Sequence, residues 1–109
     1  MQEIDLTQPQ RLALESALGP MASAYDLIAV YGSRATGKAR PGSDVDLVVY
    51  GADGATVIAA MRSAVEESNL SIFADILSYE DISHLPLRQE IDRHAKPLFR
   101  GRLPKSAAS

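Results

Sequence analysis

The sequence predicts a small α/β domain of two layers, in which a three-stranded mixed sheet packs against helices. Three observations predict it. Apolar residues fall at helical or at extended spacing in the order helix, strand, turn, strand, helix, strand, helix. The three extended runs are short, aliphatic and bounded by glycine or polar turn residues. The chain has 109 residues, 46% of them apolar, which suits one compact core. One domain is expected over residues 1–100, followed by a flexible polar tail over 101–109.

Each element has a local reason. Thr7 followed by Gln10 reads as a capping box, with Pro9 tolerated in the first helical turn. A helix over residues 8–18 follows, with Leu12, Leu14 and Leu18 as apolar anchors and Gly19-Pro20 as its stop. Residues 26–31 form the first strand, ending at Gly32. Residues 33–43 contain Gly37, Pro41 and Gly42 and are expected to form a helical turn and a loop. Residues 45–50 form the second strand, closed by Gly51. Asp53 is the expected cap of a helix whose Val57, Ile58, Met61, Ala64 and Val65 share one face. Residues 70–77 form the third strand. A last helix over 85–96 places Leu87, Ile91 and Ala95 four apart and stops at Pro97. The short connection between strands one and two allows an antiparallel pair, whereas the helix between two and three suits a parallel crossover.

Composition narrows the function. There are no cysteines, so disulfides, thiolate nucleophiles and cysteine-based zinc sites are excluded. The acidic start, with Glu3 and Asp5, lacks the positive charge of a signal peptide. No apolar stretch approaches the roughly 18–20 residues that span a bilayer. A cytoplasmic protein without membrane contact is expected. Eleven basic against fourteen acidic residues give a charge of −3, which argues against nucleic acid as the main partner. The local cluster of Arg34, Lys38 and Arg40 can still hold a triphosphate.

The candidate chemistry lies in the acids. Asp44 and Asp46 flank Val45, so strand alternation puts both carboxylates on one face, with roughly 7 Å between their α-carbons. Like charges so close repel, and a cation between them relieves the repulsion. Hard ions such as Mg²⁺ take oxygen ligands and share their shell with substrate phosphates. Asp75 lies inside the apolar third strand, where an unpaired acid is costly to bury. If strands two and three are neighbours, it reaches the same site. Each signal alone is ordinary, since Asp-x-Asp pairs also cap turns and Gly-Ser is common loop composition. Gly32 nevertheless allows backbone to approach a phosphate, and Ser33 adds a hydroxyl donor.

Taken together, Gly32-Ser33, ten further residues, then Asp44-Val45-Asp46 reads as GS-x10-DxD, with strands on both sides and a third acid in the next strand. This arrangement, within a stretch of about residues 12–99, closely resembles the DNA polymerase β-type nucleotidyltransferase superfamily, in particular its minimal nucleotidyltransferase branch. That branch includes antitoxins whose paired toxins are HEPN-domain proteins. The resemblance implies a small two-layer nucleotidyltransferase fold, with Gly32, Ser33 and Arg34 binding the nucleoside triphosphate. It implies that Asp44 and Asp46 bind two Mg²⁺ ions, and that Asp75 binds one and helps activate the attacking hydroxyl. It further implies ATP as donor, AMP as the group moved, and a tyrosine of a HEPN toxin as acceptor. The family often carries a second arginine where this chain has Thr36.

Other signals are weaker. His84 and His94 lack a third ligand for a zinc site. Arg88 and His94 match the Arg-x5-His spacing of HEPN ribonucleases, but on one short helix of an α/β chain, which makes the match a coincidence. Tyr31 and Tyr50 are expected to pack in the sheet. Leu98, Phe99 and Leu103 suit either core or a partner interface. The competing function is a binding module that neutralises its partner by covering it, with inert acids.

Overall fold

The computed structural model of the chain describes residues 4–102. The first helix, α1 (Gln8–Leu18), starts at the capping box read from sequence: Gln10 N–H donates to Thr7 Oγ1 at 3.2 Å and Thr7 N–H to Gln10 Oε1 at 2.9 Å. Its buried face is Ala13, Leu14 and Leu18. Leu12, expected as an anchor, is 52% exposed, because the helix turns that position away from the sheet. A 3₁₀ turn over Gly19–Ala24 then leads into β1 (Leu27–Tyr31).

A single turn, α2 (Ser33–Thr36), and a loop connect β1 to β2 (Val45–Tyr50); helix α3 (Ala55–Glu66) then crosses to β3 (Ala74–Ser78). The pairing follows the connection lengths. β1 and β2 are antiparallel, with Tyr31 opposite Asp46, whereas β2 and β3 are parallel, with Asp46 beside Asp75. The expected mixed sheet packed against helices is present, with four strands rather than three, in the order β3-β2-β1-β4. The fourth is β4 (Lys96–Arg100), antiparallel to β1 and directly after α4 (Leu85–His94). The helix expected to run to residue 96 stops at His94, and Pro97 lies inside β4, an edge strand, where a residue without an N–H is tolerated.

Alternation sorts the strands into two faces. Ile28, Val30, Val45, Leu47, Val49 and Ile76 point into the main core with Leu14 and Leu18 of α1 and Ile58, Met61 and Val65 of α3. Leu98 and Phe99 pack against this core and are partly buried; Leu103 lies outside the described residues. On the opposite face Ala29, Tyr31 and Val48 meet Ile82 and Ile91, the latter from α4. Helix α4 is docked by a stack in which the Tyr50 and Tyr79 rings lie 4.7 Å apart and the Arg88 guanidinium sits 4.3 Å above Tyr79. Arg88 also donates to the Ile82 carbonyl, so it is occupied in packing.

Two end-of-element readings change. The cap of α3 is Gly54, without a side-chain bond, and Asp53 instead pairs with Arg102 at 2.9 Å. Arg102 also reaches Asp26 at 2.8 Å. These pairs are exposed and contribute little individually. Backbone bonds from Gly101 N–H to the Asp26 carbonyl and from Arg102 N–H to the Tyr25 carbonyl, both 2.8 Å, tie the first two residues of the expected tail to the sheet. No helix among the described residues is long and apolar enough to cross a membrane.

Candidate active site

The ends of three strands meet at one edge of the α4 face. Asp46 lies in β2 and Asp75 beside it in β3, both half-buried, on the same face as Tyr31 of β1. Asp44, two residues before Asp46 and just outside the strand, is exposed. Burial, followed by the negative charges of Asp75 and then Asp44, raises the Asp46 carboxyl pKa above its ordinary 3.8. The acids are thus close enough to repel. Among the described residues, neither Asp44, Asp46 nor Asp75 has an ion-pair partner.

The donor set fits a hard divalent cation in one particular way. Among the described residues no three acidic, histidine or cysteine side chains stand close enough to enclose an ion by themselves. Mg²⁺ is ordinarily held by one or two carboxylates together with substrate phosphates, and a repelling carboxylate pair on adjacent strands matches that mode. Of the three acids expected from sequence as ligands, Asp46 and Asp75 are neighbours on adjacent strands and Asp44 lies two residues before Asp46, exposed.

Gly32 joins the acids to the turn that follows β1. Its φ of 75° and ψ of −152° lie in a region that only glycine occupies without strain, and a Cβ there would strike the Asp46 carboxylate. Ala35 and Thr36 N–H donate to the Gly32 carbonyl at 3.0 and 3.2 Å, so the amides of Ser33 and Arg34 precede the first bonds of the turn. Thr36 Oγ1 also donates to that carbonyl at 3.2 Å, which gives this residue a structural task. The Gly32→Ala variant should lose about 1–3 kcal/mol of stability in urea denaturation, from backbone strain alone. The added methyl would also displace the Asp46 carboxylate.

Arg34 is placed differently from the sequence expectation. It is 3% exposed, and its guanidinium donates to the carbonyls of Asp5 (2.8 Å), Pro41 (3.2 Å) and Ser43 (2.8 and 3.1 Å), with a longer contact to Arg40. It clasps the loop that delivers Asp44 and ties it to the N-terminal segment. A phosphate contact from this side chain is replaced by a structural role, because its donors point into the loop.

A cavity of about 790 Å³ is lined by Gly32, Ser33, Thr36 and Lys38 and, across it, by Glu90, Arg93, His94 and Lys96, with none of the three acids in its wall. Its size is that of a small-ligand site. It meets the acid group at Gly32, so one turn borders both. The wall from α4 and β4 was not read from sequence. It assembles only when β4 pairs with β1, and its one local signal is the extended run Lys96-Pro97-Leu98-Phe99-Arg100 with an edge-strand proline.

Comparisons with known proteins bear on the family and the fold. The model of the family described as polymerase beta, nucleotidyltransferase matches residues 21–102. A toxin–antitoxin crystal structure with AMP-PNP superposes with a TM-score of 0.66 at 20% identity, covering 84% of this chain and 74% of that one. A Shewanella oneidensis tri-AMPylated HEPN toxin in complex with MNT antitoxin gives 0.62 at 17% identity, covering 94% and 77%. A candidate minimal nucleotidyltransferase gives 0.55 at 28% identity, covering 83% and 93%. A sequence comparison with curated proteins finds no match. The similarities below 25% identity concern the fold.

Proposed function

The chain belongs to the polymerase β nucleotidyltransferase family, and on that premise we propose that it moves AMP from ATP to a tyrosine hydroxyl of a partner HEPN toxin, acting as its antitoxin. The observation that carries the reading is the pairing of Asp46 with Asp75 on parallel strands, on one face and next to the Gly32-Ser33 turn. The solved structures of similar fold include a complex with AMP-PNP and a complex whose toxin is AMPylated, which supports the same donor and acceptor class here.

The residues divide the work by position. Ser33 and the backbone of its turn hold the triphosphate, with Lys38, Arg93 and His94 around the cavity supplying further donors. Asp44 and Asp46 would hold two Mg²⁺ ions, and Asp75 one of them. Bound there, Mg²⁺ supplies charge neutralisation on the phosphates and a lowered pKa for the acceptor hydroxyl. Asp75, on the edge strand, would help activate the acceptor hydroxyl by taking its proton.

Mass spectrometry tests this. The chain is incubated with ATP, Mg²⁺ and the protein encoded by its neighbouring reading frame, expected to be small and helical. One or more AMP additions on a tyrosine of that protein are the expected result. A stable complex without any mass increase would overturn the transfer and leave the binding module, in which the same face merely covers the partner.

A further inference from the structure

Three side chains stand in a row across three strands: Tyr31 of β1 opposite Asp46 of β2, and Asp46 beside Asp75 of β3. Alternation gives all three the same face. The two acids have a role in the proposed transfer, and Tyr31 has none. Its ring is buried with Ala29, Val48, Ile82 and Ile91, so packing from α4 and the sheet sets its direction. Among the described residues its hydroxyl has no hydrogen-bond partner, yet it is not sealed from solvent. Packing alone does not need that oxygen, because phenylalanine would fill the same space.

Tyr31 is the direct cross-strand neighbour of Asp46 on that face, and its hydroxyl feels the charges of both Asp46 and Asp75. In the proposed transfer, the phosphoryl group being moved is held above these acids through the ions they would bind. Burial, then the charge of Asp46, then that of Asp75 push the Tyr31 pKa up to about 12. A phenol is an O–H donor at neutral pH, and here it is set among acceptors. The geometry points to Tyr31 as a nucleotide-binding residue whose phenol O–H donates to an oxygen of the α-phosphate held over Asp46 and Asp75. This rests on the reading of those acids as the transfer site.

Calorimetric titration of the full chain with α,β-methylene-ATP in Mg²⁺ tests it without an acceptor. Tyr31→Phe should bind the nucleotide about tenfold more weakly than wild type, the loss expected for one hydrogen bond to a charged acceptor. Its melting temperature without nucleotide should match wild type. Tyr50→Phe, the same change farther along the same face, should bind normally. A phosphorothioate at the α-position should weaken binding to wild type and leave Tyr31→Phe less affected. Unchanged affinity in Tyr31→Phe, with Asp46→Asn impaired, would overturn the inference and spare the transfer reading. Wild-type affinity in Asp46→Asn, or no binding by wild type, would overturn both.

Discussion

Replacing Asp46 by asparagine is expected to lower nucleotide transfer by roughly a thousandfold or more, about 4 kcal/mol of transition-state stabilisation, without loss of folding. The activity falls because an amide keeps the shape of the carboxylate but not its charge. The fold survives because the charge is unfavourable in the metal-free protein: burial and the neighbouring Asp75 and Asp44 raise the Asp46 pKa. An acid whose pKa is raised by folding contributes stability that is fully present below its unfolded pKa. That stability is lost as pH climbs through the folded value. Wild type in chelator should therefore lose stability as pH rises from the ordinary carboxylate range toward neutrality, and Asp46→Asn should lose less. Melting temperatures between pH 4 and 7, beside transfer assays with labelled ATP, measure both halves. A variant that is unstable at pH 7, or active, contradicts the assignment.

The second large effect is structural. Arg34→Ala should destabilise the domain by about 3 kcal/mol, lowering the melting temperature by roughly 10–20 °C. The guanidinium is 3% exposed and satisfies the carbonyls of Asp5, Pro41 and Ser43, and alanine would leave them unpaired around a void. Arg34→Lys should recover only part of the loss, since a point charge cannot replace a planar fork that spans several carbonyls. Transfer should fall in both variants beyond what unfolding accounts for, because the clasped loop ends at Asp44. Thermal melts, with activity measured well below the melting point, separate the two effects. A near-wild-type melting temperature for Arg34→Ala would refute the clasp.

The contrast between Arg34 and Asp46 shows what was legible in the sequence. Asp46 follows a rule of period two, so Val45 and Leu47 in the core oblige it to face the other way. Gly32 was legible for a similar reason, since it closes an aliphatic run where a turn must begin. Arg34 was not. A guanidinium binds a phosphate or a set of carbonyls with the same donors, and only the path of residues 40–43 decides which acceptor is near. Asp53 failed likewise as a cap, because Arg102, 49 residues away, captured its carboxylate. Leu12 has the right residue type for a core anchor, but α1 has only one sheet to cover and turns that position outward.

The amino-acid sequence by itself determined the α1 capping box, the alternation in β2, the glycine turn and the identity of the three acids, because each depends on neighbours within a few residues. Tertiary structure alone decided that Asp75 lies level with Asp46, that β4 adds a fourth strand, and that α4 brings Arg93 and His94 across from Ser33. Strand register and sheet order arise from pairing between distant segments, selected by which apolar faces bury together in one core. No local pattern encodes that selection, so the acids were visible in the sequence and the register that sets Asp46 beside Asp75 was not.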